Sequence, residues 1–117
     1  MGNFRKLTVW QNSKDLAILI YKLTQNKGLN RDYGFKDQIQ RAAVSIPSNI
    51  AEGDESGSNK LSVRYFFIAK ASTAELMTQI IIANEIGYVD YETRALLCDK
   101  CEKISSMLTN LIRVRKD

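Results

Sequence analysis

Histidine is absent from the 117 residues, and with it go the commonest general base and the commonest metal ligand near neutral pH. Cysteine is scarce: Cys98 and Cys101 stand alone in a C-D-K-C spacing. A zinc site needs four ligands, and a thioredoxin-like pair follows a strand and opens a helix. This pair falls inside a helical pattern with no second pair beside it, so no metal and no cofactor is expected. The two thiols read as reduced, partly buried side chains of a cytoplasmic protein. Pro47 is the single proline and glycine occurs six times, which leaves long stretches without punctuation, as in an all-helical chain. No uninterrupted apolar run approaches the roughly 20 residues that span a bilayer, and no signal-peptide layout opens the chain. Neither membrane insertion nor secretion is expected, and the length suits a single domain over residues 1–117.

What is present is helical periodicity. The spacing predicts a first helix after Thr8, taken as its N-cap, with Val9, Ser13, Leu16, Ile20 and Leu23 on one stripe and fraying near 26–28. A loop over 28–34 follows. A second helix is predicted from Phe35 to Glu52, buried through Phe35, Ile39, Ala42, Ala43, Ile46 and Ile50. Pro47 lies inside it and cannot bond the carbonyl of Ala43, so a kink is expected there, with Ser48 or Asn49 helping to satisfy freed backbone groups. Gly53 is read as the left-handed residue that ends the helix, and Ser58 as the next N-cap. A third helix spans 59–86, stopped by Gly87, on a seam of Leu61, Tyr65, Ile68, Ser72, Leu76, Gln79 and Ala83. Asp90 caps a fourth, which runs to about Arg115 through Leu97, Cys101, Ile104, Leu108 and Leu111. Four amphipathic helices with short connections pack as an antiparallel up-down-up-down four-helix bundle, with helix two kinked at Pro47.

Helices one and three carry more apolar surface than one contact face can hide. Residues 16–21 are apolar right round the first helix, and 65–69 and 80–83 do the same on the third. Two buried faces on each helix imply self-association, with Ile18, Leu19, Tyr21, Phe66, Phe67, Ile81 and Ile82 as the candidate interface. Trp10 and Tyr21 are read as core or interface anchors.

Seventeen Lys and Arg against thirteen Asp and Glu give a net charge of +4. The predicted topology gathers Arg5, Lys6, Lys60, Arg64, Arg113, Arg115 and Lys116 at one end, together with Glu52, Asp54 and Glu55. A closed oligomer would repeat that cluster around its axis, so it is the candidate nucleic-acid-binding surface unless the acidic loop neutralises it. Arg41, Asn49 and Glu52 are read as a structural polar network near the kink.

Catalysis finds little support. The serines and cysteines have no histidine partner, no phosphate-cradling glycine loop appears, and a di-iron site would need Glu-x-x-His pairs. Arg41 with Gln38 and Glu52 is the one anion-stabilising constellation that can be assembled. The expectation is a non-enzymatic binding protein, with RNA or a nucleic-acid-processing protein as partner. A protein–protein scaffold with no nucleic-acid role is the alternative.

The runs LTVWQ at 7–11, YKLT at 21–24, QRAAVSIPSNIAEG at 40–53, FFIAKASTAEL at 66–76 and MLTNLI at 107–112 resemble one family. It is the bacterial four-helix-bundle family named 23S rRNA-intervening sequence proteins, a name that records where some of the genes lie rather than an activity. The resemblance covers nearly the whole chain. It implies a compact antiparallel bundle that assembles into a ring-like homopentamer. It also brings in a relative, the accessory protein of diversity-generating retroelements, a basic pentamer that works with a reverse transcriptase and nucleic acid. Two positions depart from the pattern. Relatives often carry basic residues where Asp54 and Glu55 stand, and often glycine in place of Ala71.

Overall fold

The computed structural model describes residues 2–116. A 3-10 turn at Phe4–Lys6 leads into α1 (Thr8–Leu23), a short α2 (Lys27–Arg31), α3 (Tyr33–Glu55), α4 (Asn59–Glu85) and α5 (Tyr91–Lys116). There is no strand among the described residues. The fold is elongated, 44 × 21 × 20 Å between Cα extremes. α4 packs along both α3 and α5, and α1 lies mainly on α3 and more lightly on α5.

Local chemistry explains most boundaries. Asp32, Ser58 and Asp90 each accept a hydrogen bond from the backbone N–H three residues on, at 3.2, 3.2 and 2.8 Å, capping α3, α4 and α5. The Thr93 side chain first, and then its backbone N–H, hold the Asp90 carboxyl below the usual carboxylate range. Thr8 does not cap α1: the helix starts at Thr8 itself, behind an extended Leu7, with no side-chain cap bond. The segment expected as a loop over 28–34 instead holds α2, because the Asn26 side chain accepts from the N–H of Leu29 at 3.1 Å and Leu29 is fully buried. Around Leu29 a second small core forms with Ala83 and Val89, covered by Leu23, Phe35 and Tyr88. Tyr88 donates its hydroxyl to Asp32 at 2.8 Å; that bond, with burial, pushes the phenol pKa up.

α3 runs unbroken through Pro47, which is itself buried. Asn49 donates to the carbonyl of Ser45 at 2.8 Å, not to the Ala43 carbonyl that the proline leaves without its usual partner. Ser45 meets Ser72 of α4 across 2.8 Å, so this polar pair ties the Pro47 turn to the neighbouring helix.

Two corrections concern α4 and its approach. Gly53 does not end α3 in the left-handed region; it lies inside the helix, and Gly57 (φ +82°) makes the left-handed turn instead. The reason for glycine at 53 is closeness. A Cβ there would lie 2.7 Å from Cε1 of Phe66 and 3.1 Å from Cβ of Tyr65. The predicted seam of α4 is also rotated in its first half. Leu61 and Ile68 are exposed, whereas Ser62, Phe66 and Ala69 are buried. Apolarity favoured Leu61 over Ser62, but the Ser62 hydroxyl is satisfied by donating to the Gly53 carbonyl at 2.6 Å, so its burial carries little penalty. From Ser72 onward the predicted seam stands, with Leu76, Gln79 and Ala83 buried.

By length and composition α4 is apolar enough to cross a membrane, although Lys60, Arg64, Lys70, Glu75 and Glu85 interrupt it. In this fold it is a central helix, with one side buried between α3 and α5.

The two glycines of α3 predict opposite outcomes in urea denaturation. Gly53→Ala should lower stability by about 1–3 kcal/mol, since Phe66 has no room to yield. Gly34→Ala, where nothing lies within 4 Å of the added Cβ, should raise it by about 0.5–1 kcal/mol.

Candidate nucleic-acid interface

The ends of α3 and α5, the start of α4 and the 3-10 turn meet at one end of the molecule. Arg115 of α5 fixes the arrangement. Its guanidinium donates to Oδ1 of Asp54 at 2.7 Å and to Oγ of Ser62 at 3.3 Å, and its Cζ lies 5.4 Å from the ring centroid of Phe66. The Asp54 side chain is 5% exposed and that of Arg115 24%, so this ion pair is largely out of water. Ser56 and Ser62 both donate to the Gly53 carbonyl, at 2.8 and 2.6 Å, closing the network over the last turn of α3. The 3-10 turn packs on α3, and Gly2 lies against Asp54.

Arg115 therefore belongs to the architecture, and Asp54 neutralises that one cation. The rest of the expected cluster is different. Among the described residues, Arg5, Lys6, Lys60, Arg64, Arg113 and Lys116 are exposed with no carboxylate within 4 Å. Arg113 donates to Oδ1 of Asn110 at 2.9 Å, which leaves its charge uncompensated. Glu52 and Glu55, the other carboxylates of this end, make no ion pair among the described residues. Seven of the seventeen cations lie here against three of the thirteen carboxylates. With the chain-terminal Asp117 set aside, ten cations and nine carboxylates remain for the rest of the chain, so its positive charge is concentrated at this end.

The expected network of Arg41, Asn49 and Glu52 does not exist. Arg41 is exposed and pairs with Asp37 one turn earlier at 2.8 Å, which raises its pKa. Asn49 bonds Ser45, and Glu52 is exposed without a hydrogen bond among the described side chains. Spacing placed the three on one helix, but each satisfies itself locally. For the same reason Arg41, Gln38 and Glu52 enclose no anion site. Phe66, expected at an interface between copies, is fully buried against α3; its neighbours supply the outer face. Ile18, Leu19, Tyr21, Phe67 and Ile82 are exposed, and Ile81 is half-buried.

Cys101 is buried and Cys98 half-buried. Burial pushes the Cys101 thiol from its ordinary 9.0 up to about 12 and raises Cys98 as well. No group of three or more His, Cys, Asp or Glu side chains that could hold a metal occurs among the described residues.

Two pairings escaped the sequence reading: Asp54 with Arg115, and Ser62 with the Gly53 carbonyl. The first joins residues 61 positions apart and the second residues 9 apart on successive helices, and no spacing within one helix signals either.

A family described as 23S rRNA-intervening sequence protein matches residues 5–110. Among solved structures, the chain is similar to a protein of unknown function from the S23 ribosomal protein family of Bacteroides thetaiotaomicron. The TM-score is 0.82 at 22% identity, covering 90% of this chain and 98% of that one, which speaks to a shared fold. No curated protein matches the chain in sequence.

Two measurements test this end of the fold. Asp54→Asn should lower stability by about 1.5–3 kcal/mol in urea, since it leaves Arg115 largely buried without its anion. Cys101 should resist thiol-specific reagents at pH 8 until the protein is unfolded, with Cys98 reacting first. Above pH 9 the unfolded chain loses a thiol proton that the folded one keeps, so the Cys101 contribution to stability should decline between pH 9.0 and about 12.

Proposed function

Because the chain belongs to the 23S rRNA-intervening sequence protein family, we propose that it works without catalysis, as a self-associating four-helix bundle that binds structured RNA through its basic end. In this reading α1, α3, α4 and α5 form one up-down-up-down domain over residues 1–117, with α3 bent at Pro47, and the protein acts in the cytoplasm, away from membranes. The homopentamer that the family resemblance implies would present five copies of the basic end on one rim. Multivalency of that kind turns individually weak phosphate contacts into tight binding.

The observation that carries the reading is the set of exposed cations at this end with no carboxylate within 4 Å among the described residues. A surface that merely kept the protein soluble would intersperse both signs, as the exposed pairs Arg41–Asp37 and Lys103–Asp99 do elsewhere. A second reading, a protein-directed scaffold with no nucleic-acid role, is favoured by the exposed apolar side chains of α1 and α4.

A polarisation titration of a labelled RNA hairpin decides between them. The first reading expects binding that weakens by orders of magnitude from about 50 to about 200 mM salt. Changing Arg5, Lys6, Lys60 and Arg113 to glutamine should flatten that salt dependence, by about one unit of slope for each phosphate that a removed cation had neutralised. Arg115 is left intact in this design because its loss would unsettle the fold. No binding at low salt would retire the nucleic-acid reading in favour of the scaffold.

A further inference from the structure

We infer that the basic end takes unpaired bases of its RNA, a nucleobase stacking on the Arg5 guanidinium that Phe4 holds in place beside Trp10. The inference rests on the RNA reading proposed above and names the part of the RNA that this end engages.

Four side chains form a file of cations and rings along the 3-10 turn and the first turns of α1. The guanidinium carbon of Arg5 lies 5.5 Å from the Phe4 ring centroid. Phe4 and Trp10 meet edge to face with centroids 5.1 Å apart, and Lys14 Nζ stands 5.9 Å from the Trp10 centroid. Trp10 packs against the core and is half-buried, as is Phe4, so both rings keep part of their surface in water. The turn that carries Phe4 and Arg5 is itself fastened. Gln11 donates its side-chain amide to the Arg5 carbonyl at 2.8 Å, and the Leu7 N–H bonds the Phe4 carbonyl at 2.9 Å. The turn rests on both α1 and α3.

A planar cation held over an anchored ring suits a splayed-out base. Arg5 is exposed, so beyond its contact with Phe4 the guanidinium meets solvent. Every nucleobase has a π face, and stacking on aromatic rings or on arginine tolerates any sequence. Bases inside a duplex keep those faces against one another, which confines the contact to loops, bulges and ends.

The charges around the file favour a polyanion. Arg5 and Lys6 have no carboxylate within 4 Å among the described residues. On the neighbouring elements Asp15 holds Lys14 at 3.1 Å and Asp54 is taken by Arg115. Glu52 and Glu55 of α3 make no ion pair among the described residues, and Lys60, Arg64, Arg113 and Lys116 stand exposed at the same end. The cations therefore outnumber the carboxylates here. Lys6, next in the chain, is free to meet the phosphate of a base stacked on Arg5.

Trp10 is the single tryptophan, so its fluorescence reports on this file alone. The test compares two labelled RNA hairpins with the same stem and the same phosphates, one with an adenine loop and one with an abasic loop. The adenine loop should quench Trp10 and bind about five- to a hundredfold more tightly than the abasic one. Arg5→Lys keeps the charge and loses the plane, whereas Phe4→Leu keeps an apolar side chain and loses the ring. Each should bring the ratio of the two affinities close to one. Equal affinity for both hairpins in the unaltered protein, no quenching by the adenine loop, or an Arg5→Lys variant that keeps the full preference would overturn the inference and leave the phosphate contacts standing. Should Phe4→Leu disturb the 3-10 turn, Arg5→Lys decides alone, since that side chain is exposed. Binding of neither hairpin at low salt would overturn the RNA reading itself, and the inference with it.

Discussion

The contact of Phe66 with Gly53 is the constraint on which the rest depends. α4 approaches α3 so closely there that no Cβ fits at position 53, and the ring of Phe66 fills the space completely. Drawing Phe66 inward rotates the first half of α4, which buries Ser62 and turns Leu61, Phe67 and Ile68 out to solvent. Arg115 then lies against the Phe66 ring, held by Asp54 and Ser62. One close helix contact therefore sets the core, the docking of the C-terminal helix and the composition of the outer surface.

The same contact shapes the electrostatics. A guanidinium stacked on an aromatic ring and paired with a 5% exposed carboxylate is part of the packing, not a ligand-binding group. Asp54 is thereby spent on one internal cation. The remaining basic side chains of this end are exposed, with no carboxylate within 4 Å among the described residues. On α3 the opposite holds, since Arg41 and Asp37 neutralise each other on the surface one turn apart.

At the far end, α2 and the α4–α5 connection close over Leu29. The Tyr88 hydroxyl on Asp32 and the Asn26 amide on the Tyr88 carbonyl at 3.0 Å join segments separated by about sixty residues. Polar links thus fasten both ends, while the middle is held by apolar packing and by the Ser45–Ser72 pair beside Pro47. Of the apolar groups left outside, Ile18, Tyr21 and Val44 border the α1–α3 groove, and Phe67 and Ile82 stand on the outer side of α4.

Read by itself, the sequence determined the helical class, the long helices and most of the core. Periodicity near 3.6 residues is a local property, and Ile39, Ala42, Ala43, Ile46 and Ile50 carry it without ambiguity. Caps at Ser58 and Asp90 were legible for the same reason, because a cap bond spans three residues. The concentration of cations at one end followed from the order of the helices along the chain. Only the tertiary structure decided what Gly53 is for, which side of α4 faces inward, and which cation is already taken. Each of those answers depends on a partner on another helix: Phe66 for Gly53, the Gly53 carbonyl for Ser62, Asp54 for Arg115. The misread network of Arg41, Asn49 and Glu52 shows the converse. Shared spacing places side chains on one helix, but hydrogen bonds form with whatever partner lies nearest, and here those were Asp37 and Ser45.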